Sequence, residues 1–257
     1  MPGTLSARGL KIMSEPSLTA SDLERLRQFD SCTLSNAIER FGLRLRNEGF
    51  VNGLLRCRFP QLPPMLGYAV TGRIRTVSPP MTGGWYYDSM EFWTHVTSLP
   101  APRVLVLQDA DPRPGLGAFV GEVHARIGRA LDCAGYVTNG AVRDLPGVEA
   151  AGMQLFAASL SVSHSYAHIV SFGEPVEVGG LAIRPGDLLY GDRHGVLSIP
   201  LAIASRLPAE AQKLLDAEGE LIELCRSPDF SLAALSRQIH RMTRNGALPR
   251  PADKELP

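Results

Sequence analysis

Only four cysteines are spread over the 257 residues, Cys32, Cys57, Cys133 and Cys225, and no two form a CxxC pair. That spacing excludes a disulfide framework or a zinc ribbon and suits a reducing compartment, where each thiol packs as a small apolar group. Neither sign of charge dominates, since Lys plus Arg and Asp plus Glu both total 26. With no basic excess and no acidic tail, nucleic acid is not recommended as a partner, and little charge repulsion opposes self-association. No apolar run approaches the roughly 20 residues of a membrane span, and Met1 to Pro16 has no signal-peptide core. These features predict a cytoplasmic protein with no membrane partner. A Walker loop is missing too: Gly115-Leu-Gly117 with Gly121 lacks its spacing, and no Lys-Ser/Thr follows. No G-x-S-x-G elbow and no diagnostic cysteine–histidine spacing occur, so nucleophilic acyl transfer has no support.

The length suits one large domain with an appended helical tail: an α/β domain over 18–200, helices over 201–244 that pack on it or on a neighbouring subunit, and flexible ends at 1–17 and 245–257. Ser21-Asp-Leu-Glu24 reads as a capping box opening a helix to about Phe29, and a second helix runs from Thr33 to Phe41, stopped by Gly42. Residues 44–66 read as loop. Tyr68 to Val77 alternates as a strand with one buried face. Asp88 to Ser98 follows as a helix, and Val104 to Leu107 as a central strand. Glu122 to Cys133 forms a helix with Val123, Ile127, Ala130 and Leu131 on one side. Gly135 to Asn139 is the next strand, Leu145 to Ala151 a short helix closed by Gly152, and Leu155 to Ala157 another strand. Such β-α-β-α-β alternation predicts parallel pairs with crossover helices. Beyond it, Pro175–Val178, Leu181–Ile183, Asp187–Tyr190 and Val196–Ile199 read as a β-meander punctuated by Gly179-Gly180, Pro185-Gly186 and His194-Gly195. Leu201 to Leu224 reads as one long amphipathic helix and Ser231 to Met242 as a second.

The arrangement richest in chemistry is a strand, then Gly140-Ala-Val-Arg-Asp144, then a helix, because ligands gather at the carboxyl ends of strands in α/β sheets. Arg143 offers a planar fork for a carboxylate. Asp144 suits a metal, the orientation of Arg143, or a cap on the following helix. Gly121-Glu122 opens a helix whose first N–H groups attract an anion; Glu122 is either a second hard oxygen ligand or an ordinary first-turn glutamate. His164 and His168 have i, i+4 spacing, but their Ser-rich segment does not read as a helix, so a metal role loses its basis. His194 reads as structural in a turn, and Trp85, Tyr86 and Tyr87 as packing.

Three stretches together resemble the RraA-like family, which includes 4-hydroxy-4-methyl-2-oxoglutarate aldolases: Thr33-Leu-Ser-Asn-Ala-Ile-Glu-Arg-Phe-Gly42; Gly121-Glu122 through Gly135-Tyr-Val-Thr-Asn-Gly-Ala-Val-Arg-Asp144; and Pro175-Val-Glu-Val-Gly-Gly through Arg184-Pro-Gly-Asp187 to Gly191-Asp-Arg-His-Gly-Val196. The resemblance implies a β/β/α layered fold like the swivelling phosphohistidine domains, assembled as a homotrimer or homohexamer, with Mg²⁺ or Mn²⁺ at the subunit boundary. It implies a lyase acting on a small 2-oxo dicarboxylic acid, by aldol cleavage or oxaloacetate decarboxylation. Arg143 would hold the pyruvoyl carboxylate and enolate oxygen. Asp144 would bind the metal, with Glu122 as a second acidic group and Glu218 reaching from a neighbouring subunit. Gly121 and the backbone amides of Val123 and His124 would grip the substrate carboxylate. Some members instead bind and inhibit an RNA-degrading endonuclease, which is the alternative function. The sequence departs from the family at Asn139, where many members carry Asp; at Glu122, where the aldolases carry Asp; and at His194, which replaces an acidic residue.

Overall fold

The computed structural model describes residues 18–81 and 90–244; the two expected flexible ends and Trp85, Tyr86 and Tyr87 lie outside them. The chain opens with α1 (Ala20–Leu26), α2 (Ser31–Glu39), β1 (Arg56–Cys57), β2 (Met65–Arg75), α3 (Met90–Ser98), β3 (Arg103–Asp109) and β4 (Ala118–Val120). It continues with α4 (Glu122–Ala130), β5 (Cys133–Val142), α5 (Leu145–Ala150), β6 (Gln154–Leu160) and β7 (His168–Phe172). After β8 (Val176–Val178), β9 (Leu181–Ile183), β10 (Leu188–Asp192) and β11 (Gly195–Ile199) come α6 (Leu201–Ala204), α7 (Leu207–Arg226) and α8 (Leu232–Arg244).

The main sheet runs in the order β1-β6-β5-β3-β2-β10-β11. Its middle, β6-β5-β3-β2, is parallel, with α3, α4 and α5 in the connections as the alternating pattern predicts. Long strands are shared along their length: β2 pairs with β10 through its first half and with β7 through its second. β5 likewise pairs with β3 as far as Thr138 and then with β4. Registers break there across Asn139-Gly140, the kind of irregularity that re-aims a strand end beside a site.

Alternation along the parallel strands sorts side chains to two covered faces. Ala69, Val104, Val106 and Val137 pack under the β8–β9 hairpin, with Val176, Val178, Leu181 and Ile183. Val70, Leu105, Leu107 and Tyr136 pack under α3, α4 and α5, with Phe92, Trp93, Ala125 and Val148. On the same helical side, Leu66, Tyr68, Leu188 and Leu197 pack under α1, α2 and α7. The order is hairpin, sheet, helices.

Several expectations are corrected by this packing. β2 begins at Met65 inside the supposed loop and is buried on both faces, not one, because the hairpin covers its second face. The meander divides: β8 and β9 form their own two-stranded sheet, while β10 and β11 join the main one. The supposed loop over 44–66 also contains β1. The first capping box is Thr19 with Asp22, two residues earlier than expected, each side chain accepting the other's backbone N–H. α4 stops at Ala130, and Asp132, at φ 54°, turns the chain so that Cys133 begins β5. Its buried face is His124, Ala125 and Gly128, while Val123 is half exposed. The long C-terminal helix is broken into α6 and α7 around Ser205-Arg206. Among the described residues no helix is long and apolar enough to cross a membrane.

Candidate functional site

The carboxyl ends of β2, β3 and β5 are knitted together by polar side chains. Asp109 ends β3, and its backbone N–H donates to Asn139 Oδ1 at 2.7 Å while Asn139 Nδ2 donates back to its carbonyl at 3.0 Å. This clamp needs a donor and an acceptor on one side chain, so an aspartate at 139 could not make it. The buried Asp109 carboxylate accepts N–H groups from Asp111 at 3.1 Å and Gly115 at 2.8 Å, shaping the following loop, and burial pushes its pKa up. Asp111 Oδ2 in turn accepts the N–H groups of Thr76 at 2.6 Å and Val77 at 3.0 Å. A rigid floor thus underlies the point where β5 delivers Arg143 and Asp144.

Asp144 occupies the N-cap position of α5 in a left-handed conformation, φ 54°, ψ 39°, yet its side chain makes no capping bond to α5. It turns across to α4 instead. Oδ2 accepts the Glu122 N–H at a long 3.4 Å and lies 3.6 Å from Arg143 Nε. Such a conformation costs a non-glycine residue on the order of 1 kcal/mol and recurs where a site over-determines the backbone. Gly121 makes room for it, because a Cβ there would stand 2.4 Å from Asp144 Oδ2. Arg143 Nε is buried without a hydrogen-bond partner, its contact with Asp144 being too long for one. Of Asp144 itself, 48% of the side chain stays exposed. Of the three roles the sequence allowed, capping α5 is the one its geometry rejects.

Glu122 opens α4 as expected, but its Oε1 is held by Arg126, Nε at 2.8 Å and a second guanidinium nitrogen at 2.7 Å. Its Oε2 lies over α5, where a Cβ on Gly147 would come within 2.4 Å. Val123 and His124 belong to the first turn of α4, whose N–H groups point out of the helix end. The His124 ring is buried against Phe119, centroids 4.8 Å apart, and near Trp93. So the His124 ring turns into the core and Val123 stays half exposed, while Gly121, Glu122, Arg143 and Asp144 meet. Glu218 does not: α7 packs on α1 and α2 over the β10–β11 end of the sheet, so any role at this site requires a second chain.

His164 and His168 lie in a loop and at the start of β7, each ring Nδ1 at 2.7 Å from a local carbonyl oxygen, of Ser165 and Tyr166. Among the described residues no group of three or more His, Cys, Asp or Glu is placed to hold a metal. One open carboxylate still fits a Mg²⁺-like ion, which binds through one or two carboxylates and keeps its waters. Asp144 satisfies that requirement; a closed cage is not formed within one chain.

Beside Arg143 and Asp144 lies an open cleft of about 540 Å³, with Leu145 and Pro146 on one side and Leu160 and Val162 on the other. These walls escaped the sequence reading, although continued alternation from Leu155 through Leu160 could have extended β6 to them. Fold and site together define an α/β protein with an arginine–aspartate pair opening on a cleft at the end of a parallel strand. The chain belongs to the RraA-like family: the Aldolase/RraA family model matches residues 31–198. A relative from Halalkalibacterium halodurans called "Putative 4-hydroxy-4-methyl-2-oxoglutarate aldolase" is 32% identical over 126 residues, 48% of this chain and 60% of that one. Protein DlpA of Legionella pneumophila is 30% identical over 36% of this chain and 17% of its own length. This chain therefore spans less than two thirds of these curated relatives. Among solved structures, an uncharacterized protein from Pseudomonas syringae pv. tomato superposes with a TM-score of 0.67 at 21% identity, covering 91% of this chain and all of that one. Streptomyces coelicolor RraAS2 gives 0.62 at 20% identity, over 79% and 96%. Both likenesses are of fold.

Proposed function

We propose that the protein is a divalent-metal-dependent carbon–carbon lyase that cleaves or decarboxylates a small 2-oxo acid through a pyruvate enolate. What carries this reading is the Arg143 guanidinium, held only by a long ion pair, and the half-open Asp144 carboxylate on one cleft, with the N-terminus of α4 in contact with Asp144. Membership of a family that contains such aldolases supports it.

In this reading the Arg143 guanidinium holds the substrate carboxylate and the oxygen that becomes the enolate. The backbone N–H groups of Val123 and His124 take the other carboxylate oxygen. In aldol cleavage the C4 hydroxyl loses its proton to water and the C3–C4 bond breaks. Its electron pair passes into the enolate, C4 leaves as a carbonyl group, and protonation at C3 yields pyruvate. Decarboxylation breaks the corresponding bond with loss of CO₂. Asp144 would hold Mg²⁺ or Mn²⁺, directly or through water; such an ion, when bound, supplies positive charge beside the enolate oxygen. Asp144 also keeps Arg143 oriented, and the stiff Asp109–Asn139 floor keeps both in register. Homotrimers or homohexamers in which a neighbour's Glu218 completes the metal's ligands belong to the same reading, as does kinship with swivelling phosphohistidine domains, for which the hairpin–sheet–helix layering is the support.

The test is pyruvate release, with Mg²⁺, from oxaloacetate and from 4-hydroxy-2-oxo acids including 4-hydroxy-4-methyl-2-oxoglutarate. Turnover that a chelator stops and Arg143→Ala lowers by about 100-fold or more is expected. Absence of turnover on every such acid, or full activity in Arg143→Ala, defeats the proposal.

A further inference from the structure

The family resemblance implies a substrate with a second carboxylate, but the cleft is built for something else. Its polar equipment is concentrated at one end, where Arg143 and Asp144 stand. Away from them the walls are Leu145 and Pro146 at the start of α5, and Leu160 and Val162 at the end of β6. The remaining polar group, Ser161, donates its hydroxyl to the carbonyl oxygens of Leu116 at 2.8 Å and Ser163 at 3.2 Å. Among the described residues lining the cleft, Arg143 is the sole cation. Leu160 and Val162 are 53% and 98% exposed, so both have apolar surface to give to an occupant.

Resting on the lyase reading, we infer that the far end of the substrate is an alkyl or aryl group: the cleft takes a 4-hydroxy-2-oxo acid with an apolar substituent at C4. Arg143 is occupied by the oxo-acid end, and the enolate charge that develops there draws on the same donor. A second carboxylate would lie among apolar side chains with no cation of its own and with the like charge of the Asp144 carboxylate nearby. An apolar group would instead cover Leu160 and Val162, which is favourable in proportion to the area removed from water. Small-molecule sites are usually lined mostly by apolar side chains, with a few polar groups that fix orientation.

The experiment compares kcat/KM for pyruvate release from 4-hydroxy-2-oxohexanoate and from 4-hydroxy-2-oxoglutarate, using the full chain with Mg²⁺. The hexanoate should lead by about tenfold or more, a discrimination within reach of one pocket. Leu160→Lys and Val162→Lys should each move the ratio toward the dicarboxylate by about tenfold. Val162 is the variant that carries the test if the Leu160 change impairs folding, being almost wholly solvent-exposed. A wild-type ratio at or below one overturns this inference and leaves the lyase reading standing. Pyruvate from neither acid, nor from oxaloacetate, overturns the lyase reading and this inference with it. Lysine variants that change the sedimenting mass while leaving the substrate ratio untouched overturn it as well, since the two side chains would then be covered by a second copy of the chain.

Discussion

Asp144 and Asp192 both direct a carboxylate at the first turn of a helix that is not their own, and they end in opposite states. Asp192, at the end of β10, is 8% exposed. Its oxygens accept the Ser31 N–H at 2.8 Å, the Ser31 hydroxyl at 2.7 Å and the His194 N–H at 2.9 Å. The His194 ring Nδ1 lies 3.3 Å away. Asp144 reaches α4 through a single 3.4 Å hydrogen bond, adds a 3.6 Å ion pair, and keeps half its side chain in solvent. One carboxylate is consumed in tying α2 to the β10–β11 turn; the other has bonding capacity left over. Helix N-termini attract carboxylates wherever they occur, so attraction alone does not mark a site. Unused capacity beside a guanidinium held only by a long ion pair does.

The largest expected effect tests the unsatisfied member. Arg143→Ala should lower kcat/KM by about 100- to 1,000-fold while the melting temperature stays within about 2 °C of wild type, because only a long ion pair is lost and such pairs contribute about 1 kcal/mol or less. A variant that melts much earlier would put Arg143 on the structural side and erase the contrast.

Asp192→Ala tests the satisfied member. It leaves the N–H and hydroxyl of Ser31 and the N–H of His194 without their acceptor in a buried setting, at about 3 kcal/mol in total. For a chain of this size that corresponds to a fall in melting temperature of roughly 6–12 °C, read by calorimetry. The folded variant should keep pyruvate-releasing activity within about twofold. Loss of activity without loss of stability would mean that Asp192 also serves the site.

Gly121→Ala sharpens the comparison from within the cleft. The backbone there, φ −136°, admits any residue, so strain is not at issue. The added Cβ, 2.4 Å from Asp144 Oδ2, must push that carboxylate off its perch. A drop of about tenfold in kcat/KM is expected, the usual scale of a misplaced site group, with stability changed by about 1 kcal/mol or less. Unchanged kinetics would show that the position of Asp144 does not matter.

How far these two carboxylates could be foreseen differs for a physical reason. The β3, β5 and β6 strands and their helices are legible because apolar periodicity is local and glycines and prolines mark the breaks. The Arg143-Asp144 pair is legible because it falls where such a strand ends. Asp192 is not, since its partner Ser31 lies 161 residues away, and nothing in a turn of Asp-Arg-His-Gly announces a distant helix. The same holds for the Asp109–Asn139 clamp and for β1, β4 and β7, too short to show a period and defined by pairing with strands elsewhere. Asp144 was placed but its direction was not: its left-handed backbone aims it at α4, and the capping role suggested by its position next to α5 is overruled by contact with Gly121. Glu122 is similar, because whether it faces a ligand or Arg126 depends on side-chain geometry that spacing does not encode.

Asp22 shows the satisfied state in its response to pH. In the first turn of α1, with 16% of its side chain exposed, it accepts the Thr19 N–H at 3.0 Å, the Thr19 hydroxyl at 2.7 Å and an Arg25 N–H at 2.6 Å. Those hydrogen bonds from Thr19, with Arg25 assisting, lower its pKa from 3.8 to about 2. A carboxylate whose folded pKa is depressed stabilises the fold above its unfolded pKa, and that stabilisation fades as the pH falls from about 4 through about 2. Asp22→Asn should therefore melt earlier than wild type between pH 5 and about 7, with the gap closing below about pH 3. Its effect on turnover should be nil. A gap that persists unchanged into acid would assign the loss to geometry instead of charge, and hydrogen bonding to the charged carboxylate would no longer explain why Asp22 belongs with Asp192 and not with Asp144.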